Sequence, residues 1–99
     1  MSRAELQRIR EAISEGRYYL TDHANEEMTE DGLDVLDVET SILNGALKRK
    51  ETHDPRGTVY TIHGPGLDPD TRVGTAGRFS ASRQYRVITV YEVTPQGER

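Results

Sequence analysis

The first half of the chain carries its apolar residues at helical spacing. Leu6, Ile9 and Ile13 fall at i, i+3 and i+7, the pattern of an amphipathic helix with one buried stripe. Ser2 is the expected N-cap, and Gly16 is the expected end of this helix.

Two further helices are predicted before residue 46. Thr21 is a favourable N-cap for a helix that ends at Gly32, because its hydroxyl accepts the free N–H groups of the first turn. A third helix begins near Asp34 and stops at Asn44-Gly45, since both residues tolerate a left-handed backbone. Residues 17–20 are interpreted as a short Tyr-rich link.

The second half has the short β-branched and aromatic segments that are typical of strands. Strands are expected at residues 46–53, 58–63, 72–80 and 85–93, with a hairpin turn at 54–57. Helices followed by strands predict an α+β fold, in which N-terminal helices pack on one face of a four-stranded antiparallel sheet. Residues 1–94 are then a single α+β domain, and residues 95–99 are a loose C-terminal tail.

Strand alternation predicts which side chains face away from the helices. On the third strand, Arg72 and Arg78 share a face with small residues and leave an open floor for a ligand. On the fourth strand, Tyr85, Thr89 and Tyr91 are expected on that same open face.

Composition narrows the class of protein. Hydrophobic residues make up 33% of the 99 residues and charged residues 30%, which is lean but sufficient for a folded domain. The lack of cysteine excludes disulfides, thiolate metal sites and thiol nucleophiles. With no long apolar run and no secretory h-region, a cytoplasmic protein without a membrane span is expected.

The net charge of −4 conceals an asymmetry between the halves. Residues 1–45 contain 4 Lys and Arg against 11 Asp and Glu, whereas residues 46–99 contain 9 against 6. An acidic chain of this kind argues against a general nucleic-acid coat protein, but a local basic face on the second half is consistent with it.

Two histidines are candidates for proton transfer. His23 falls in the first turn of the second helix, where the helix dipole favours the neutral imidazole that acts as a general base. The alternative is a structural histidine that fixes the start of the helix. His63, at a strand end, is a second candidate, with an ordinary surface imidazole as its alternative. The three histidines lack metal-ligand spacing, so neither a metal nor a cofactor is expected.

Four arginines and two tyrosines crowd the last third of the chain. Guanidinium groups bind phosphate in a bidentate manner, and tyrosine rings stack on bases. A solvated face with internal ion pairs is the alternative. The six residues are Arg72, Arg78, Arg83, Arg86, Tyr85 and Tyr91.

Several short motifs occur along the chain in the same order as in a known family. The set comprises Gly16-Arg17-Tyr18-Tyr19-Leu20-Thr21-Asp22-His23-Ala24, then Met28 and Gly32-Leu33, Asn44-Gly45, Tyr60-x-Ile62-x-Gly64, and the strand Val87-Ile88-Thr89-Val90-Tyr91. It resembles an uncharacterised family of small bacterial proteins, a domain of unknown function, with a T-x-H-A motif opening a helix and an I-T-V-Y strand near the end. The family is more distantly similar to the RelE/MqsR-like ribonuclease toxins, which share the barnase-like fold.

This resemblance implies a toxin-like, metal-independent endoribonuclease of the mRNA interferase type, from a bacterial toxin–antitoxin system. RNA is then the substrate and an antitoxin protein the partner. The alternative is a non-catalytic binding module of the same fold that engages a protein or nucleic acid. Edge-strand pairing into a homodimer is a further expectation. The expected catalytic residues are His23, Arg78 and Tyr91, and the expected substrate-binding residues are Arg72, Arg83, Tyr85, Thr89 and His63.

Overall fold

A computed structural model describes residues 3–94, so the predicted Ser2 cap and the 95–99 tail lie outside the described residues. The elements, in chain order, are α1 (Arg3–Ser14), β1 (Tyr18–Leu20), α2 (Asp22–Glu30), α3 (Val35–Asn44), β2 (Ala46–Glu51), β3 (Val59–Pro65), β4 (Arg72–Phe79) and β5 (Tyr85–Val93).

The ends of the helices follow from local side-chain chemistry. The Thr21 hydroxyl accepts the Ala24 N–H at 3.1 Å, which confirms the predicted start of α2. Asp34 caps α3 in a reciprocal capping box with Asp37. Gly45 ends α3 in an extended conformation, φ −96°, so the expected left-handed stop is wrong. Glycine is needed there because a Cβ would lie 2.9 Å from the carbonyl carbon of His63.

The sheet corrects the predicted topology. It has five strands in the order β1-β5-β4-β3-β2, and β1 runs parallel to β5. The expected four-stranded antiparallel sheet is therefore wrong, and the segment interpreted as a link supplies its fifth strand. A strand of three residues is too short to show alternation, and its pairing partner lies far away in the sequence.

Helix α2 continues the edge of the sheet where β1 ends. Thr21 N–H donates to the Val87 carbonyl, and beyond it a carboxylate of α2 and that of its C-cap residue Asp31 accept backbone N–H groups of β5. Glu27 accepts from Val90 at 3.1 Å and Asp31 from Glu92 at 2.8 Å. Strand β5 is thus covered on both sides, by β4 on one side and by β1 and α2 on the other.

The core lies between the helices and one face of the sheet. Its fully buried side chains come from α1, α3 and the central strands, and include Ile9, Val38, Ile42, Ile62, Val73, Val87 and Val90. Within residues 3–94 the buried hydrophobic side chains of the helices belong to this core, and the opposite sheet face is here called the open face.

A β-bulge decides the face of Tyr85. The register pairs Ala76 with Thr89 but Gly77 with Val87, which leaves Ile88 without a partner. The extra residue reverses the alternation along β5, so Tyr85 packs in the core at 0% exposure. Its expected place on the open face is wrong. Burial also raises the pKa of the Tyr85 hydroxyl far above its usual value of about 10.

Candidate functional site

A hydrogen-bonded histidine–tyrosine pair lies on the open face. The register aligns His63, Gly74 and Tyr91 across three strands. Tyr91 extends over Gly74 and places its hydroxyl 2.9 Å from Nε2 of His63, with the two rings edge to face at 5.7 Å. Both side chains are nearly buried, His63 at 5% exposure and Tyr91 at 7%. The pair can exchange a proton between a phenol and an imidazole.

Gly74 makes this pair geometrically possible. A Cβ at this position would overlap the Tyr91 ring and come within 2.8 Å of its hydroxyl oxygen. The absence of a side chain at residue 74 is therefore as much a part of the site as His63 and Tyr91.

Arg78 is the buried cation of the same face. It is 6% exposed, and its Nη1 lies 3.2 Å from the Asp54 carboxylate. The two groups are close enough for an ion pair, yet neither Nε nor Nη1 of Arg78 has a well-aligned hydrogen bond. The positive charge of the guanidinium is thus balanced by Asp54, but its capacity to donate hydrogen bonds is only partly used.

Asp54 is held more firmly by Arg56 than by Arg78. Its Oδ1 accepts from the Arg56 backbone N–H at 2.8 Å, and its two oxygens accept from the Arg56 guanidinium at 3.2 Å. These hydrogen bonds lower the pKa of Asp54 to about 2, so the carboxylate is ionised at neutral pH. The predicted turn at residues 54–57 is confirmed by the Gly57 N–H to Asp54 carbonyl hydrogen bond of 3.0 Å.

A floor of small side chains separates the histidine–tyrosine pair from Arg78. Thr61, Ala76 and Thr89 are paired across the three strands and are half-buried. Gly74 and Arg78 are four positions apart on β4, a Cα separation of about 13 Å at roughly 3.3 Å per residue. The floor is thus bounded by a proton-transfer pair at one end and a cation at the other.

A further arginine–tyrosine contact borders the floor. Arg86 pairs with Arg78 in the register, and its Nε donates to the Tyr19 hydroxyl at 2.6 Å. The guanidinium also lies 5.6 Å from the Tyr19 ring centroid, a cation–π contact. Tyr19 belongs to β1 and was missed by sequence analysis, because residues 17–20 were not recognised as a strand.

Of the remaining expected residues, Arg72 lies on the open face by strand alternation, two positions before Gly74, whereas His23 and Arg83 lie elsewhere. The His23 side chain is 66% exposed on α2, and its Nε2 lies 3.3 Å from Glu27 on the same helix. Its contacts do not bring it to Arg78 or Tyr91. Arg72 is exposed at the start of β4, and Arg83 lies in the turn between β4 and β5.

The residues missed by sequence analysis share one property. Gly74, Asp54 and Tyr19 act through partners that lie far away in the sequence, on other strands or loops. Only the glycine left a signal, as a residue without a side chain on the predicted open face.

Residues 3–94 contain neither a cluster of metal ligands nor a membrane-spanning helix. Within that range no three His, Cys, Asp or Glu side chains come together as ligands for a metal ion. None of the helices in the same range has the length and apolar character needed to cross a membrane.

The fold and this face define a small α+β protein with a mixed sheet and a polar open face. Residues 20–92 match the family described as Domain of unknown function (DUF4258), and the chain belongs to that family. The match begins at the end of β1 and runs nearly to the end of β5, so it contains the whole candidate site except Tyr19. No curated protein and no solved structure matches the chain.

Proposed function

We propose that the protein is a toxin-like, metal-independent endoribonuclease whose substrate lies on the open face. One observation carries the proposal: the hydrogen-bonded His63–Tyr91 pair shares a sheet face with the buried cation Arg78. A cognate antitoxin is the class of partner that this activity implies.

Cleavage of RNA without a metal needs a proton acceptor, a proton donor and a cation. The 2′-hydroxyl oxygen attacks the adjacent phosphorus and loses its proton to a base. The bond from phosphorus to the 5′-oxygen breaks, and that oxygen takes up a proton. The products are a 2′,3′-cyclic phosphate and a 5′-hydroxyl, and no oxidant or further reactant is required.

The open face offers a group for each of these roles. Neutral His63 accepts the proton of the 2′-hydroxyl, directly or through the Tyr91 oxygen, and Tyr91 returns a proton to the leaving oxygen. Arg78 supplies a positive charge on the same face, which would stabilise the charge that develops on the phosphate. The floor of small side chains lets a strand approach the sheet.

Cleavage of a long single-stranded RNA in the presence of EDTA tests this proposal. The variants are His63→Gln, Tyr91→Phe and Arg78→Lys, and His23→Ala serves as the matched exposed histidine. We expect the first three to lose at least about a hundredfold in rate, as is usual for a proton-transfer group or an oxyanion partner. We expect His23→Ala to retain the wild-type rate.

Each outcome separates the candidate residues. If His23→Ala lost cleavage and His63→Gln retained it, the catalytic role would belong to His23. That result would overturn the assignment of the site to the open face. Equal cleavage by all variants would attribute the activity to a contaminant. Circular dichroism spectra and melting curves of each variant show that any loss is not a loss of folding.

A non-catalytic binding module is the second candidate. Asp54 already faces the Arg78 guanidinium, and His63 and Tyr91 expose little of their surface, which is typical of a structural network. This candidate predicts that wild-type protein is inert towards RNA in EDTA and with added Mg²⁺. It also predicts that Arg78→Lys changes the affinity for the partner, and that neither the wild type nor this variant cleaves RNA.

A further inference from the structure

A second basic surface lies at the end of the sheet, away from the open face. It is a cavity of about 710 Å³ between α1 and the β4–β5 turn, here called the arginine cavity. Its lining consists of Arg8, Glu11, Arg17, Phe79, Ser82 and Arg83. Phe79 follows Arg78 on β4 and points to the opposite face, so the cavity is separate from the candidate site above.

Arg17 joins the two walls of the cavity. Its Nη1 donates to the Arg83 carbonyl at 3.1 Å, and its own carbonyl accepts the Tyr85 N–H at 2.9 Å. Its Nε donates to Glu15 at 2.8 Å. These contacts hold the start of β1 against the β4–β5 turn, and they hold a guanidinium at the cavity.

Arg8 covers the aromatic wall. Its guanidinium carbon lies 5.5 Å from the centroid of Phe79, in cation–π geometry. Arg8 and Glu11 project from neighbouring positions on one side of α1, spaced i and i+3. A ring of a ligand that entered here would meet a half-buried phenyl group beside a cation.

Arg83 is the least satisfied cation of the cavity. Among residues 3–94 its guanidinium has no hydrogen-bond or ion-pair partner. Its backbone has φ 66°, a left-handed conformation that is uncommon for a residue with a side chain. The turn holds it there, because Arg83 N–H donates to the Ser80 carbonyl at 3.0 Å and Gln84 N–H to the Ser80 hydroxyl at 3.2 Å.

The charges of the cavity do not balance. The lining contains three arginines and one acidic residue, Glu11, and Glu15 is engaged with Arg17, within a chain whose net charge is −4. Guanidinium forks match the oxygens of a phosphate group, and Ser82 adds a hydroxyl donor to the same lining. We propose that the arginine cavity binds the phosphate group of a nucleotide, either free or within an RNA strand.

Binding can be measured without cleavage. The probes are adenosine 5′-monophosphate, followed by NMR titration, and a fluorescently labelled 2′-O-methyl octanucleotide, followed by anisotropy. The variants are Arg8→Gln and Arg83→Gln, and the matched control is Arg3→Gln, an exposed arginine at the other end of α1. Arg17 is left unchanged because its contacts hold the turn.

We expect the two cavity variants to weaken binding of at least one probe about tenfold, and the control to stay within twofold of wild type. Resonances of Phe79, Ser82 and Arg83 should shift on addition of that probe. Equal affinity for both probes would show that a free nucleotide is enough to occupy the cavity. Binding of the octanucleotide alone would show that the ligand is an RNA strand. No binding by wild type, or equal weakening in Arg3→Gln, would overturn the proposal.

These outcomes are independent of RNA cleavage. A protein that binds phosphate in the cavity and cleaves no RNA would keep this inference and lose the proposed function.

Discussion

Two glycines of β4 each admit a tyrosine ring, on opposite faces of the strand. Gly74 lies beneath Tyr91 on the open face, whereas a Cβ at Gly77 would lie 2.6 Å from the Tyr85 ring in the core. Each tyrosine occupies the space that a side chain on β4 would otherwise fill. The open face and the core are therefore both shaped by residues that contribute no side-chain atoms.

This pair of glycines gives a matched test at the scale of one residue. We expect Gly74→Ala and Gly77→Ala each to lower the free energy of unfolding by about 1–3 kcal/mol through overpacking. Only Gly74→Ala should displace Tyr91 and change the NMR titration of His63, because Gly77 borders the other face. Urea denaturation and histidine titration of both variants measure the two effects. An unchanged His63 titration in Gly74→Ala would show that the pair does not depend on this close approach.

At the scale of the element, α2 takes the place of a strand along the edge of β5 beyond the end of β1. The carboxylates of Glu27 and of the C-cap residue Asp31 replace the carbonyl partners that β1 would offer if it were longer. They lie four positions apart, about one helical turn, and so match alternate residues of β5. These side chains occupy N–H groups that edge pairing with a second chain would use. The other edge is β2, which carries exposed Lys48, Arg49 and Lys50 and a register shift, two features that disfavour edge pairing.

Removing one of these carboxylates should cost stability. We expect Glu27→Ala to lower the free energy of unfolding by about 1–2 kcal/mol, since the Val90 N–H is left without its acceptor. Glu27→Gln should lose less, because the amide oxygen still accepts, and the exposed Glu26→Ala should change stability by less than about 0.5 kcal/mol. Chemical denaturation of the three variants measures the difference. If Glu27→Ala and Glu26→Ala were equally stable, the carboxylate would not be supporting the edge.

Local chemistry predicted the elements that depend on neighbouring residues. The cap at Thr21, the start of a helix near Asp34 and the turn at 54–57 each depend on a few neighbouring positions, and the structure confirms them. Strand β1 and the bulge at Ile88 could not be predicted this way. Both are decided by pairing with residues that are distant in sequence, and a shift of one residue reverses every face beyond it.

The candidate site was predictable in its residue types but not in its arrangement. His63, Arg78, Thr89 and Tyr91 were expected near a ligand, and the structure gathers them on one sheet face. Their contacts depend on strand register, since His63 and Tyr91 are 28 positions apart. His23 was favoured because its motif opens a helix, a local property that carries no information about which face that helix turns to the sheet.

At the scale of the whole molecule, a net charge of −4 coexists with arginines at one end of the sheet. Arg78 and Arg86 lie on the open face, and the arginine cavity lies around the adjacent end of β4. Binding of an RNA strand to these cations should depend steeply on salt, because bound counterions are released.

Neutralising about three phosphates of a single strand gives a slope near −2 in a plot of log affinity against log salt concentration. We expect the affinity for the 2′-O-methyl octanucleotide to fall about 15-fold between 50 and 200 mM salt. Arg83→Gln should reduce the slope by about 0.7, whereas Arg78→Lys keeps the charge and should keep the slope. Anisotropy titrations at four salt concentrations measure this slope for the wild type and both variants. A flat salt dependence would show that contacts other than phosphate hold the strand.

The position of β5 between β1 and β4 has a consequence for the order of folding. Tyr18 pairs with Tyr85, 67 residues further along the chain, so closing this contact orders nearly the whole described polypeptide at once. Contacts of such long sequence separation slow folding, and β1 can have no sheet partner until β5 is in place. Until then the nascent chain presents the unpaired edge of β4, the stage at which it is most exposed to aggregation and to capture by a chaperone.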